Sequence, residues 1–254
     1  MGTVKIHQRH FDIDGIIFDK DDTLVEFSVL WGPRIQRWVE TITGLAGLPN
    51  STRSNLYTML GYSPEQSSVR AESPLAIASI ETLVILVAGV LCQQGIPWHQ
   101  AYHYAISTAQ DTTLADIEPR EIQPKGNVKK VLYQLAQANI RIAVVTNDDR
   151  SMTEATLSHL GVRDIVSVIV SGDDPVPNKP APDAFHMVVA EWGITPKRIM
   201  MVGDTLSDMK FAVNAGAAYR IGVLSESGNS SLLASHCDVV VNSIDEIQVG
   251  PYAS

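Results

Sequence analysis

Short runs of β-branched and other apolar residues alternate with helix-length amphipathic segments over the second half of the chain. The apolar runs predict strands at 140–145, 165–170, 199–202, 219–223 and 239–241. The segments between most of them have the spacing of helices and lie at 126–138, 151–160, 181–192 and 206–215. Strands and helices that alternate in this way are joined by right-handed crossovers. The pattern therefore predicts an α/β fold with a doubly wound, mostly parallel sheet that is covered by helices on both faces.

The first half of the chain has a different pattern, in which one apolar run precedes a long helical stretch. The run Ile13–Phe18 predicts a further strand of the parallel sheet. From about residue 28 to residue 116 the apolar periodicity is helical throughout. The expected helices lie at about 28–44, 52–60, 74–93 and 97–115. We therefore predict a core domain formed by residues 1–25 and 119–254, with an α-helical domain inserted at 26–118.

Composition and charge restrict the classes of protein that this chain can belong to. Of its 254 residues 45% are hydrophobic and 19% are charged, which excludes a wholly disordered or fibrous chain. The net charge is −9 and the chain lacks a run of Lys and Arg. Such a chain is a poor partner for nucleic acid or for an anionic membrane. The composition instead favours small-molecule chemistry.

The same sequence gives no sign of export or of insertion into a membrane. The most apolar segment, Leu75–Cys92, is interrupted by polar residues and predicts a buried helix rather than a membrane span. Residues 1–12 contain no apolar signal-peptide stretch. The two cysteines, Cys92 and Cys237, have no metal-type spacing and cannot form a disulfide framework for a chain of this size. We therefore expect a reduced, cytoplasmic protein.

Residues suited to chemistry follow four of the predicted strands. In chain order these residues are Asp19, Asp21, Thr146, Asn147, Lys179, Asp204 and Asp208. In a doubly wound sheet the ligand crevice lies beyond the carboxyl ends of the strands, so we expect these side chains to converge there. Carboxylate oxygens suit Mg²⁺, whereas hydroxyl, amide and ammonium groups bind the oxygens of an anion. The pattern predicts a combined magnesium and phosphate site.

Each of these signals also has a simpler structural interpretation when it is taken alone. A pair of aspartates can be a solvated turn, and Thr146 with Asn147 can cap the following helix. Carboxylates one turn apart can place negative charge at a helix start, as for Asp204 and Asp208. Lys179 can be an exposed loop residue. The functional interpretation depends on the occurrence of all four signals, in one order, at strand ends.

Taken together, the motifs resemble those of the haloacid dehalogenase superfamily, in the group that has a helical cap inserted after the first strand. The matching residues are Asp19-x-Asp21-x-Thr23, Thr146, Lys179 at the start of the segment Lys179–Phe185, and Gly203-Asp204 with Asp208. Within this superfamily the chain resembles the phosphoglycolate phosphatases and the β-phosphoglucomutases. The resemblance covers about 13–25 and 122–245 and implies a Rossmann-like core. Position 22 is Asp where many relatives have Gly.

The resemblance implies a Mg²⁺-dependent phosphatase that hydrolyses a small phosphorylated metabolite through an aspartyl-phosphate. Asp19 is the implied nucleophile and Asp21 the implied general acid and base. The implied metal ligands are Asp19, the backbone carbonyl of Asp21, Asp204, and Asp208 either directly or through water. The implied phosphate ligands are Thr146, Asn147 and Lys179, with Thr23 and Gly203 in support.

Two alternatives to a phosphatase stay open at this stage. A phosphomutase shares the core motifs and differs in how its cap protects the aspartyl-phosphate from water. A non-catalytic binding protein can keep the fold, although it has no chemical need for the whole set of motif residues. Dehalogenation is disfavoured because that reaction needs no leaving-group acid at Asp21.

Several other residues are weaker site candidates. Asp12 and Asp14 imitate the first motif, but Ile16 occupies the place of its threonine. His99 and His103 lie one helical turn apart and lack a nearby third metal ligand. We expect cap-side substrate selection, if present, at Glu26, Trp31 and Arg34, and we expect a monomer or a homodimer.

Overall fold

The computed structural model describes residues 2–70, 73–112, 118–225 and 230–250. By Cα proximity the chain divides into two compact units, one formed by Met1–Glu26 with Ile122–Ser254 and the other by Phe27–Glu121. The junctions predicted at 25/26 and 118/119 lie close to these bounds. The assignment of the two units as a core domain and an inserted domain stays a proposal.

The first unit contains a parallel sheet and a small antiparallel sheet. The strands of the chain are β1 (Gly2–Ile6), β2 (Arg9–Ile13), β3 (Gly15–Phe18), β4 (Tyr62–Ser63), β5 (Ser68–Val69), β6 (Arg141–Val145), β7 (Val168–Val170), β8 (Ile199–Gly203), β9 (Tyr219–Val223), β10 (Val239–Val241) and β11 (Gln248–Val249). Within the described residues, six of them form a parallel sheet in the order β10-β9-β8-β3-β6-β7. This sheet confirms the predicted α/β fold class.

The central strand β3 fixes the position of the residues that follow it. All four residues of β3 are buried, as expected for a parallel strand that is covered on both faces. Phe18 pairs with Val144 of β6 and Val202 of β8, so the three strands end at the same edge. The backbone N–H of Asp19 still donates to the Val202 carbonyl at 2.9 Å. The motifs after β3, β6 and β8 therefore emerge side by side.

The antiparallel sheet, in the order β11-β1-β2, was not predicted. Val4 and Ile6 of β1 are fully buried, whereas Thr3 and Lys5, each of which precedes one of them, are partly exposed. This alternation is the period-2 pattern of a strand, which the polar character of residues 1–12 obscured. Ile13 pairs with Gly2 in this sheet, so the predicted strand Ile13–Phe18 is wrong at its start. The strand of the parallel sheet begins at Gly15.

The helices agree with most of the predicted segments. They are α1 (Phe27–Leu45), α2 (Asn50–Leu60), α3 (Pro74–Ile77), α4 (Ile80–Gln93), α5 (Trp98–Thr112), α6 (Val128–Gln137), α7 (Arg150–His159), α8 (Asp183–Trp192), α9 (Leu206–Ala215) and α10 (Ser230–Ala234), with 3₁₀ turns at Pro119–Glu121, Arg163–Ile165, Pro196–Arg198 and Ile244–Glu246. The end of the predicted helix at 97–115 lies outside the described residues. The predicted strand at 165–170 is wrong at its start, because its first residue closes a 3₁₀ turn and β7 spans Val168–Val170 alone.

The helix predicted at 74–93 is wrong as one continuous element. The backbone of Ser79 is extended, with a ψ of 158°, and separates α3 from α4. The Ser79 hydroxyl accepts a hydrogen bond from the backbone N–H of Thr82, which caps α4. A serine that caps a new helix was readable in the sequence, but the continuous apolar periodicity outweighed it.

The second unit is built from α1–α5 and the short hairpin of β4 and β5. The buried indole of Trp38 on α1 donates to the Thr108 hydroxyl on α5 at 3.0 Å. Helix α4 buries one face, which includes Leu83, Val87 and Leu91. Among the described residues, none of the helices combines the length and the apolar character that a membrane crossing requires.

Candidate active site

One buried lysine joins the motifs that follow β3 and β8. The Nζ of Lys179 lies 2.5 Å from Asp19 Oδ1 and 2.7 Å from Asp208 Oδ1. Lys179 is 8% exposed, so the interpretation of it as an exposed loop lysine is wrong. Parallel strands that end in register therefore bring residues from distant parts of the sequence within hydrogen-bonding distance.

The charges of this cluster shift one another's protonation equilibria. Burial raises the pKa of Asp19 to about 7, with Lys179 acting against the shift and Asp208 acting with it. Burial alone would lower the pKa of Lys179, but the adjacent carboxylates of Asp19 and Asp208 raise it above its usual range. An ammonium that stays charged beside a buried carboxyl is suited to holding an anion.

Asn147 holds the segment that carries this lysine. Its Oδ1 accepts a hydrogen bond from the backbone N–H of Lys179 at 3.2 Å, and its Nδ2 lies 3.5 Å from the Lys179 carbonyl oxygen. The loop after β7 packs against the backbone of Asn147. A Cβ at Gly172 in this loop would lie 2.1 Å from the Asn147 carbonyl oxygen, so a glycine is needed there. The Asn147 side chain thus positions Lys179, and its predicted role in phosphate binding stays a prediction.

Three carboxylates at this edge of the sheet fit a divalent cation. Asp19, Asp204 and Asp208 each offer an oxygen, and these atoms all lie within 4.8 Å of one another. Burial, together with the negative charges of Asp19, Asp208 and Asp22, raises the pKa of Asp204 well above its usual value. Hard oxygen donors that repel one another in this way suit Mg²⁺, whose charge would offset the repulsion.

The Asp208 carboxylate has both oxygens engaged within the protein. Its Oδ1 accepts from Lys179, and its Oδ2 accepts from the backbone N–H and the hydroxyl of Thr205 at 3.0 and 2.7 Å. Thr205 and Asp208 form the capping box that starts α9, so the simple interpretation of Asp208 as a helix-start residue also holds. A Cβ at Gly203 would lie 2.5 Å from Asp208 Cγ, which accounts for the glycine in this motif.

A second buried lysine, which the sequence interpretation passed over, connects the motifs after β3 and β6. The Nζ of Lys20 lies 2.7 Å from Asp21 Oδ1 and 2.9 Å from Asp148 Oδ2, and Lys20 is fully buried. Burial raises the pKa of Asp21, although Lys20 acts against the shift. The available signal was position alone, because Lys20 separates the two motif aspartates and Asp148 lies two residues after Thr146.

The two motif threonines are both buried. The hydroxyl of Thr146 accepts from the backbone N–H of Asp148 at 3.1 Å. Helix α7 is capped at Asp149, so the interpretation of Thr146 and Asn147 as its N-cap is wrong. The Thr23 hydroxyl has no hydrogen-bond partner among the described residues.

The remaining site candidates lie in other surroundings. Asp14 stands at the opposite end of β3, where it pairs with Arg198 at 2.9 Å. The backbone N–H of Glu26 donates to the Gln123 carbonyl at 2.9 Å. In the second unit, the ring of Trp31 stacks on Phe27, and the buried Arg34 donates to Glu121 at 2.7 Å. Substrate selection by Glu26, Trp31 and Arg34 stays a prediction. The side chains of His99 and His103 are exposed on α5.

Comparison with known proteins gives a family-level match over most of the chain. A sequence model of the haloacid dehalogenase-like hydrolases matches residues 13–216. A phosphoglycolate phosphatase of Yersinia pseudotuberculosis is 26% identical over 234 residues, which cover 90% of this chain and 89% of the relative. A phosphoglycolate phosphatase of Nitrosococcus oceani is 28% identical over 235 residues, which cover 92% and 94% of the two chains.

A solved structure is similar over nearly the whole chain. It comes from Haemophilus somnus and is described as a predicted phosphoglycolate phosphatase. It superposes with a TM-score of 0.66 at 21% identity and covers 91% of this chain and 95% of its own. At this identity the similarity concerns the fold, and it extends over both units.

Proposed function

The chain belongs to the haloacid dehalogenase-like hydrolases, and on this premise we propose that it is a Mg²⁺-dependent phosphatase acting on a small phosphomonoester. The observation that carries the proposal is the ammonium of Lys179 between Asp19 and Asp208, beside the third carboxylate of Asp204. A phosphate ester brings negative charge to a chain with a net charge of −9. A buried ammonium and a cation-binding set of carboxylates in one place offset that charge. Curated relatives that carry the name phosphoglycolate phosphatase support a small substrate of this type.

The proposed reaction has two displacements. An oxygen of Asp19 forms a bond to phosphorus while the bond to the ester oxygen breaks, and Asp21 gives its proton to the departing alcohol. Asp21 then takes a proton from water, whose oxygen bonds to phosphorus as the bond to Asp19 breaks. Inorganic phosphate leaves, and both carboxyl groups return to their starting states. Lys179 and the Thr146 hydroxyl hold the phosphoryl oxygens during both steps.

The residues present fit a magnesium ion. Asp19, Asp204 and the backbone carbonyl of Asp21 would hold it, and Asp208 would support it through water and through its bonds to Lys179 and Thr205. A bound Mg²⁺ supplies charge neutralisation at the phosphoryl oxygens. The engagement of both Asp208 oxygens favours support over direct ligation for this residue.

A phosphate-release assay tests the proposal. Purified protein is incubated with phosphoglycolate, sugar phosphates, nucleoside monophosphates and p-nitrophenyl phosphate, with Mg²⁺ or with a chelator. We expect release from at least one ester, loss of release with the chelator, and recovery when excess Mg²⁺ is added. Absence of release from every ester, or release that is indifferent to the chelator, would contradict the proposal. Transfer between two positions of one sugar phosphate, with little free phosphate, would instead favour the phosphomutase.

A further inference from the structure

We propose that Lys20 and Asp148 are positioning residues, which orient the Asp21 carboxyl so that one defined oxygen exchanges a proton with the substrate. The inference rests on the proposed function, because it concerns the residue that protonates the leaving group there. It is carried by the ion-paired chain Asp148–Lys20–Asp21, in which the fully buried ammonium of Lys20 lies between two carboxylates.

Burial of the Lys20 ammonium has a cost in free energy. A lysine side chain without solvent contact stays charged only when carboxylates or other acceptors surround it. Asp21 Oδ1 at 2.7 Å and Asp148 Oδ2 at 2.9 Å meet that need from two different loops. One carboxylate is enough to neutralise the charge of the ammonium. The second, Asp148, holds the ammonium at a fixed position beside the loop after β6.

Backbone hydrogen bonds hold the loops that carry Lys20 and Asp148. The backbone carbonyl of Lys20 accepts hydrogen bonds from the backbone N–H groups of Leu24 and Val25, at 2.8 and 3.2 Å. The Asp148 carboxylate accepts from the N–H of Asp149 through Oδ1, so its Oδ2 is left for Lys20. The Asp148 carbonyl also accepts from the N–H of Gly172 at 2.7 Å. Lys20 therefore bridges two loops whose backbones are held in place.

The hydrogen bond from Lys20 is made to one of the two oxygens of Asp21. A charge-assisted hydrogen bond from Lys20 engages Oδ1 and sets the rotation of the carboxyl group. Proton donation to the leaving oxygen, and proton uptake from water, then fall to Oδ2. Loss of the Asp148 charge removes one of the two contacts that hold the ammonium, so the carboxyl of Asp21 loses its fixed orientation while its chemical identity is unchanged.

The comparison of two substrates separates this role from a purely structural one. The leaving group of an alkyl phosphate such as phosphoglycolate is a poorly acidic alcohol, which needs the proton of Asp21. The leaving group of p-nitrophenyl phosphate is an acidic phenol, which needs that proton far less. The second displacement is common to both esters, whereas kcat/KM reports the first displacement, in which the ester oxygen departs. A misoriented acid therefore lowers kcat/KM for the alkyl ester selectively, and general damage to the site lowers kcat/KM for both esters alike.

Asp148→Asn is the first variant, because it keeps the shape of the side chain and removes its charge. We expect kcat/KM for phosphoglycolate, or for the best alkyl ester in the panel, to fall about 10- to 100-fold, while kcat/KM for p-nitrophenyl phosphate falls less than about threefold. Asp174→Asn is the matched control. It removes a carboxylate that is also ion-paired, with Arg150 at 2.5 Å, and lies outside the proposed machinery, so both rates should stay near those of the wild type.

Thermal unfolding of each variant shows whether it is folded at the assay temperature. If Asp148→Asn does not fold, the double variant Lys20→Met/Asp148→Asn replaces it, because removal of both charges leaves no uncompensated ammonium. The same selective loss is expected. An equal fall in kcat/KM for both esters overturns the positioning role.

The failure of this inference is distinguishable from that of the proposed function. Asp19→Asn should abolish release from both esters if the proposed function holds. Normal release by the wild type with equal losses in Asp148→Asn contradicts the positioning role alone. No release by the wild type from either ester contradicts the proposed function, and the positioning role with it.

Discussion

A pair of aspartates two residues apart lies at each end of strand β3, and the surroundings of the two pairs differ. Asp12 and Asp14 precede the strand, and Asp19 and Asp21 follow it. Asp14 is partly exposed and pairs with Arg198, whose hydrogen bonds lower the pKa of that carboxyl. Asp19 is buried, and burial raises its pKa to about 7 in spite of the contact with Lys179.

The difference shows that surroundings rather than residue spacing separate a surface ion pair from a reactive site. At the starting end of β3 a single arginine neutralises a single carboxylate, and solvent screens both. At the carboxyl end, Asp19, Asp204 and Asp208 share one small region with Lys179. Several like charges that are held together without solvent demand a cation or a proton, and this demand makes the region suitable for chemistry.

The largest expected contrast comes from replacing one aspartate at each end of β3. Asp19→Asn should lower phosphate release more than about 10³-fold, because an amide oxygen does not replace the nucleophile. Asp14→Asn should leave kcat near the wild-type value, since Asp14 contacts Arg198 at the other end of the strand. Initial rates at saturating substrate check both. Comparable losses in the two variants would remove the distinction between the ends.

The other aspartate of each pair, Asp21 after β3 and Asp12 before it, gives a smaller contrast. Asp21→Asn should lower kcat for an alkyl phosphate about 10²- to 10⁴-fold, because the amide cannot donate and accept the transferred proton. The matched change Asp12→Asn removes a carboxylate that accepts from the Thr3 hydroxyl at 2.8 Å, and it should not alter turnover. Steady-state kinetics on phosphoglycolate compare the two. A wild-type kcat in Asp21→Asn would exclude it as the acid.

Substitution of one glycine near each end of β3 compares the two ends through the packing of the residue that each glycine contacts. A Cβ at Gly203 would lie 2.5 Å from Asp208 Cγ, whereas a Cβ at Gly15 would lie 2.4 Å from the Trp192 ring. Gly203→Ala should displace Asp208 and lower kcat on the order of 10²-fold. Gly15→Ala should cost about 1–3 kcal/mol of unfolding free energy and leave kcat per folded molecule unchanged.

Activity and urea unfolding, measured on the same preparations, separate the two glycine effects. A loss of kcat in Gly15→Ala without a loss of stability would show that the starting end of β3 also influences the site. Unchanged kinetics in Gly203→Ala would show that the Asp208 position is not critical.

The smallest expected effect is that of the surface pair on stability. Asp14→Asn should lower the free energy of unfolding by about 0.5–1 kcal/mol at neutral pH. Because folding lowers the pKa of Asp14 below its ordinary 3.8, its ionised form stabilises the fold above that value, and this contribution disappears as the pH falls through the folded-state pKa. Urea unfolding at neutral and acidic pH checks the sign. A difference between variant and wild type that grows on acidification would contradict it.

The sequence was sufficient to predict the parallel sheet and the convergence of its strand-end motifs. This success has a physical cause, since in-register parallel strands must end together, and β3, β6 and β8 do so. The family assignment is confirmed by the match over residues 13–216. The chemical roles of the individual residues stay predictions.

Other features depend on tertiary contacts that local patterns do not contain. Lys20 looks like any charged loop residue until Asp148, more than a hundred positions away, comes within 2.9 Å of it. The pairing of β1 with β11 likewise joins distant segments, and β11 is too short to give a periodic signal. Sequence patterns indicate which face of an element is apolar. The burial of a lysine depends instead on whether the tertiary fold places carboxylates beside it.

The central place of β3 has a consequence for biosynthesis. A ribosome produces this wholly apolar strand before the helical unit, and its two neighbours β6 and β8 come only after that unit. While α1–α5 are being translated, the nascent polypeptide therefore exposes an apolar strand with unpaired edges, which favours aggregation or binding by chaperones. Recombinant yield should accordingly respond to translation speed across that interval more than to conditions applied once the whole chain has been released.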